Sequence, residues 1–210
     1  MEPELSAIIL AGGYGKRLGA DKATLQLFDR PLIQHVADSL APLVNELIVV
    51  LRQDQPSPQV TFPGSLKFVT DVYPDGGPLV GLYSGLRQVS SASALVVACD
   101  MPFLEGELLL SLAAHSLNVD AVVPLRGSQP EPLHAFYSSS CLPALESCLQ
   151  GGEKQLQRFL NTINVHYLPL APEAYALSFF NVNTRADLAT AEQIFLAREQ
   201  AQTPAVESQT

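Results

Sequence analysis

Short apolar runs recur along the chain, and between them apolar residues return at helical spacing. Residues 5–10 open the series. This run is aliphatic, β-branched in part and ended by glycine, which predicts a buried strand. Residues 46–51 predict a second strand, and residues 66–70 a third that ends at Asp71. Residues 94–98 predict a fourth, apolar at every position, as in a strand covered on both faces. Further strands are predicted at 120–125 and 165–168, and the proline-punctuated stretch 129–137 leads into an alternating one. Residues 31–43 predict a helix, with Pro31 in its first turn and Leu32, Ile33, Val36, Ala37 and Leu40 in one stripe. A helix after Pro78 carries Leu79, Leu82, Leu86 and Val89. Others are predicted at 105–116, 141–149 and 154–160, the last two parted by Gly151-Gly152. Thr184-Arg185-Ala186-Asp187 reads as a capping box with Asp in place of Glu, opening a helix with Leu188, Ala191 and Phe195 on one face. Residues 53–63 read as surface loop, and the polar stretch 200–210 as a disordered tail.

Strands alternating with helices predict an α/β fold, a three-layer α/β/α sandwich around a mostly parallel sheet, with ligands at the carboxyl ends of the strands. Gly12, Asp71 and Asp100 each follow a predicted strand, which places them in one cleft. The length of 210 residues suits a single domain over residues 1–199.

Charge narrows the ligand. The formal net charge is −9, which excludes general nucleic-acid binding. Yet residues 11–30 hold Lys16, Arg17, Lys22 and Arg30 against Asp21 and Asp29, a local +2 that suits a small polyanion. The amino terminus lacks the pattern of a secretory signal, and no run approaches the ~20 apolar residues of a membrane span. Cys99, Cys141 and Cys148 show neither disulfide nor zinc spacing. The expectation is a cytoplasmic protein with reduced thiols and no membrane contact.

The local positive charge sits in a glycine loop. Gly12, Gly13, Gly15 and Gly19 follow the first strand, interleaved with Lys16, Arg17 and Lys22. Bare backbone amides beside cations at a strand end make an anion cradle. It is not a dinucleotide fingerprint, because counting from Gly13 puts Leu18 where the last glycine belongs. Nor is it a Walker loop, since Gly15-Lys16 is followed by Arg17 and Leu10 stands five places before Gly15. Asp100, at the end of a buried strand, either holds Mg²⁺ or caps the next turn. Asp71 is either a second acidic contact or an Asx turn. Asn183 or Thr184 caps the last helix, whatever else that segment does. His35 reads as packing, while His134, Lys154 and Arg158 carry no assigned role.

Leu10-Ala11-Gly12-Gly13 through Arg17, Gly19 and Asp21-Lys22, then Leu25-x-Leu27 and Pro31-Leu32-Ile33-x-His35-Val36, resembles the nucleotidyltransferase signature. With Asp71, Gly77-Pro78-Leu79-x-Gly81-Leu82, Ala98-Cys99-Asp100-Met101-Pro102 and Asn181-Val182-Asn183-Thr184, the chain is most similar to the molybdenum cofactor guanylyltransferases. The resemblance spans residues 5 to about 196. It implies a Rossmann-like nucleotidyltransferase fold, with a GTP-binding part over about 5–104 and a pterin-substrate part over about 105–199. It implies transfer of GMP from GTP to the terminal phosphate of molybdopterin, with Mg²⁺ as cofactor and Asp100 as its ligand. Arg17, Lys22 and Asp100 would be catalytic. Leu10, Ala11, Gly12, Gly13, Gly15, Lys22, Asp71, Gly77, Pro78 and Asp100 would bind nucleotide, and Asn181 and Asn183 the pterin substrate. The family often carries an asparagine after the second strand; Leu51-Arg52 stands there instead, and both residues are left out of the expected site. A monomer is expected, with molybdoenzyme maturation proteins as further partners. The alternatives are a cytidylyltransferase of the same cofactor, a sugar-phosphate nucleotidyltransferase, and a non-catalytic GTP-binding adaptor.

Overall fold

The computed structural model describes residues 5–13, 22–74 and 77–202. Its strands are β1 (Ser6–Leu10), β2 (Gln26–Leu27), β3 (Arg30–Pro31), β4 (Glu46–Leu51), β5 (Ser65–Thr70), β6 (Ser93–Ala98), β7 (Ala121–Arg126), β8 (Gln129–Pro130), β9 (His134–Ser138) and β10 (Val165–Leu170). Its helices are α1 (Leu32–Leu40), α2 (Gly77–Leu86), α3 (Gly106–Ala114), α4 (Leu142–Gln150), α5 (Leu156–Leu160) and α6 (Arg185–Gln202). The main sheet runs β10-β7-β9-β6-β1-β4-β5, with β8 paired to β7. β1 lies parallel between β4 and β6, inside the sheet, in register Ile8↔Ile48 and Ile8↔Val96.

Side chains alternate across a strand, so the two faces of β1 enter two cores. Ala7 and Ile9 pack with Ile33, Val36 and Leu40 of α1 and Leu108 and Leu112 of α3. Ile8 packs on the other face with Leu79, Leu82 and Leu86 of α2 and Leu145 and Phe159 of α4 and α5. That is the expected three-layer sandwich. Contact is close on the α2 side: a Cβ added at Gly85 would lie 2.7 Å from Ile8 Cγ2. Only glycine lets α2 settle at that depth.

Several expectations are corrected. The alternation read into 129–137 does not hold for β9, which is buried on both faces because it is inserted antiparallel between β6 and β7. Pro31 precedes the first helical residue of α1 and closes the small β2–β3 hairpin, a feature not expected. α2 stops at Leu86, three residues short of Val89. α6 continues to Gln202, past the expected start of the polar tail; residues 203–210 lie outside the described residues. β5 is an edge strand, and its residues are half-buried or exposed. Within the loop 53–63, Gln55 is buried, although a surface segment was expected there.

At the amino ends of the strands, Glu46 is a buried carboxylate with a full set of donors. It accepts hydrogen bonds from Ser6 Oγ (2.7 Å), Ser90 N (2.8 Å), Ser90 Oγ (2.9 Å) and Lys67 Nζ (2.7 Å). Burial alone would raise its pKa, but the Lys67 ammonium and the other donors outweigh it and hold the group at about 2. The folded value lies below the unfolded one. The carboxylate therefore stabilises the fold above about pH 4.5 and loses that contribution as pH falls toward 2. Glu46→Gln is expected to lower unfolding free energy by roughly 2–3 kcal/mol at pH 7. Urea unfolding at pH 7 and pH 3 checks this, with the parent–variant gap narrowing at the lower pH.

Candidate active site

A cavity of about 690 Å³ opens at the carboxyl ends of β1, β4, β5 and β6. Its floor is the chain leaving β1. Ala11 N donates to Val50 O (2.8 Å), and Ala11 O accepts from Gln55 Nε2 (3.1 Å). The exit of β1 is thus fastened to the end of β4 by both backbone groups of one residue. Gln55 Oε1 in turn accepts from Arg52 N (3.1 Å), so one buried amide links both loops. A Cβ on Gly12 would stand 3.1 Å from Arg52 N and 3.5 Å from Asp71 Oδ2, a spacing that keeps the two loops this near only while residue 12 is glycine.

Lys22 opens a short 3₁₀ turn, Lys22–Thr24, and its ammonium reaches across the crevice. Nζ donates to Asp100 Oδ2 at 2.6 Å and to Asn183 Oδ1 at 2.5 Å. Asp100 is only 8% exposed. It sits just past β6, with Cys99 N bonded to Leu10 O (3.2 Å) and its own carbonyl accepting from Val182 N (2.9 Å). That last bond brings the 181–183 segment to the end of the sheet. The expected capping box then orients it: Thr184 Oγ1 accepts from Asp187 N (3.1 Å), while Asp187 Oδ2 accepts from Thr184 N (2.8 Å) and Asn183 N (2.9 Å). Those backbone amides hold the Asp187 carboxyl below its ordinary pKa. Asn183 therefore caps nothing with its side chain and presents it to Lys22.

Asp71 follows β5, with its N bonded to Leu51 O (2.8 Å). Its carboxylate lies over Gly12 and Gly81, and Oδ1 is buried without a hydrogen-bond partner among the described residues. Burial raises its pKa to about 6, partly offset by the Ser84 hydroxyl.

Of the residues expected in the site, Leu10, Gly12, Gly13, Lys22, Asp71, Gly77, Pro78, Asp100 and Asn181 line this one cavity. Asn183 joins it through Lys22. Ala11 is the exception: it is wholly buried in the core, and its backbone groups are spent on Val50 and Gln55, so it shapes the floor without lining it. Gly15 and Arg17 lie outside the described residues, as does Lys16. Arg52, outside the expected site, lines the wall with Gln53, Asp54 and Tyr73. A strand followed by Arg-Gln-Asp at the same sheet edge as the glycine loop was the available signal. His35 is packing, as expected: Nε2 lies 3.2 Å from Leu27 O and the ring meets Phe195 edge-on. His134 is also interior, fully buried against Phe179, and burial pushes its pKa down to about 3.

Residues 7–166 match the profile of the MobA-like NTP transferase domain. The chain belongs to that family. This transferase is 33% identical over 192 residues to the probable molybdenum cofactor guanylyltransferase of Pelotomaculum thermopropionicum, covering 90% of this chain and 92% of the relative. It is 34% identical over 189 residues to the molybdenum cofactor guanylyltransferase of Syntrophotalea carbinolica, covering 87% and 88%. The crystal structure of molybdopterin-guanine dinucleotide biosynthesis protein A from Archaeoglobus fulgidus superposes with a TM-score of 0.76 at 28% identity, over 92% of this chain and all of that one. The chain is a nucleotidyltransferase with the Rossmann-like fold of its relatives. No helix among its described residues is long and apolar enough to cross a membrane.

Asp71 makes the transferase less stable than it need be. Its folded pKa is raised, so stability is greatest below about pH 4 and falls as pH rises through 6. Asp71→Asn is expected to gain about 1–3 kcal/mol at pH 7, and the gain should fade toward pH 4. Unfolding in urea at the two pH values measures it.

Proposed function

We propose that the chain transfers GMP from GTP to the terminal phosphate of molybdopterin, giving molybdopterin guanine dinucleotide and pyrophosphate. The observation that carries this reading is the Lys22 ammonium drawn onto Asp100 and Asn183 inside the cavity floored by Gly12 and Gly13, in a chain of this family.

The chemistry asks little of acid–base groups. A phosphate oxygen of the acceptor forms a bond to the α-phosphorus of GTP as the bond to the β-phosphate oxygen breaks. That nucleophile is already anionic at neutral pH. What the reaction needs is alignment and compensation of negative charge on the transferring group and the departing pyrophosphate. Lys22 supplies a point charge at that position, and the exposed backbone at Gly12 and Gly13 lets phosphate oxygens come close. Arg17 carries the same role in this reading. Asp71, Gly77 and Pro78 bound the nucleotide, and Asn181 and Asn183 meet the pterin substrate from the opposite wall.

A magnesium ion is the expected cofactor. The oxygens of Asp100 and Asn183 already converge on one cation, Nζ of Lys22, and an all-oxygen set with one carboxylate suits a hard ion completed by substrate phosphates. Among the described residues no cluster of three or more His, Cys, Asp or Glu side chains offers a different metal site. Asp100 would be the protein ligand, and the ion would supply positive charge to the phosphate oxygens. The same reading takes the chain as a cytoplasmic monomer that binds no nucleic acid and passes its product to molybdoenzyme maturation proteins.

The test is pyrophosphate release from GTP with molybdopterin and Mg²⁺, beside parallel reactions with CTP. Lys22→Ala and Asp100→Ala should each lower kcat by about 10²–10³-fold. Release from CTP in preference to GTP would assign the chain to the cytidylyl alternative. Nucleotide binding without turnover would favour the adaptor. Either variant within threefold of the parent would remove its residue from the mechanism.

A further inference from the structure

The cavity has two ends. One is the Lys22–Asp100–Asn181 wall, and the other is the turn that follows β4, where Arg52, Gln53 and Asp54 line the space with Tyr73 and Pro74. β4 and β6 flank β1, so the two ends stand two strand spacings apart, roughly 10 Å. That is comparable with the reach of a nucleotide from its α-phosphate to the far edge of its base. With phosphates at Lys22, the base reaches the β4 end.

This turn is held rigidly for a surface loop. Gln55 N donates to Arg52 O (3.3 Å), Gln55 Oε1 accepts from Arg52 N, and Gln55 Nε2 grips Ala11 O. Gln53 Nε2 donates to Asp71 O (3.3 Å), tying the turn to β5 as well. Asp54 stands at its apex with φ +62°, a left-handed conformation that Asp and Asn tolerate better than most residues. Asp54 is exposed at the cavity's edge, and among the described residues its carboxylate makes no hydrogen bond or ion pair. The Tyr73 ring, 45% exposed, and Pro74 add flat apolar surface beside it, of the kind on which a base stacks.

We infer that Asp54 reads the base and selects guanine. This rests on the nucleotidyl-transfer reading above. A carboxylate is acceptor-only, with two oxygens able to take two parallel donors. Guanine alone among the common bases presents two adjacent donors, N1–H and the N2 amino group. Cytosine and adenine place an acceptor beside their single amino donor, and that acceptor would confront a carboxylate oxygen. Asp54 therefore attracts one base and repels the others, which is what specificity requires.

The same logic gives a test in which the base is edited along with the protein. Inosine triphosphate lacks the N2 amino group, and xanthosine triphosphate replaces it with an oxygen. The full chain, its Asp54→Ala variant and its Asp54→Asn variant would be compared for binding of GTP, ITP and XTP by calorimetry, and for turnover with molybdopterin. The parent should prefer GTP to ITP by about tenfold to a hundredfold. Asp54→Ala should bring that ratio near one. Asp54→Asn keeps the turn and offers one acceptor beside one donor, so it should shift preference from GTP toward XTP by at least about tenfold. Ratios unchanged within twofold in both variants would overturn the inference, as would failure of the parent to bind GTP. Normal binding ratios without transfer to molybdopterin would support the base assignment and count only against the reaction proposed above.

Discussion

One ion pair joins what would otherwise be three separate stretches of chain. Lys22 leaves the glycine loop, Asp100 ends β6 and Asn183 precedes α6, and they meet at a single ammonium group. The side chains of Lys22 and Asp100 are 16% and 11% exposed, so the pair is shielded enough to matter and open enough to be displaced by substrate. Sheet hydrogen bonding sets where β1 and β6 end. The Val182–Asp100 backbone bond and the Thr184–Asp187 cap set where Asn183 points. The crevice is the region left between those anchors.

Much of this architecture is legible in the chain itself, for a physical reason. Central parallel strands are buried on both faces, so residues 47–51 and 94–98 are apolar throughout, and they stand out. The capping box is a local device whose residue types follow from the backbone groups they satisfy. Asp100 stands out because a carboxylate just past a buried strand is unusual. Other features depend on partners distant in sequence. Nothing local in residues 134–138 says that β9 enters the sheet antiparallel, between two strands that precede it. Gln55 looks like one more polar residue in a proline-rich loop until Ala11, 44 positions away, is seen to require a donor. Arg52 and Asp54 gain meaning only once the β4 end is known to form the cavity's far wall.

The two ends of the sheet treat buried charge differently. Glu46, at the amino ends, is surrounded by four donors and serves stability. Asp71, at the carboxyl ends, has one buried oxygen, Oδ1, with no hydrogen-bond partner among the described residues, and burial raises its pKa to about 6. A fold selected for stability alone would not keep that arrangement; a site awaiting donors from a substrate would.

The most direct measurement of the central claim is a double-mutant cycle between Lys22→Met and Asp100→Asn, read as urea unfolding of the unliganded protein. If the pair fastens the crevice, the two losses will not add, and a coupling of about 1–3 kcal/mol will remain. Additivity within about 0.5 kcal/mol would mean the two groups do not support one another, and the account of the crevice would be wrong.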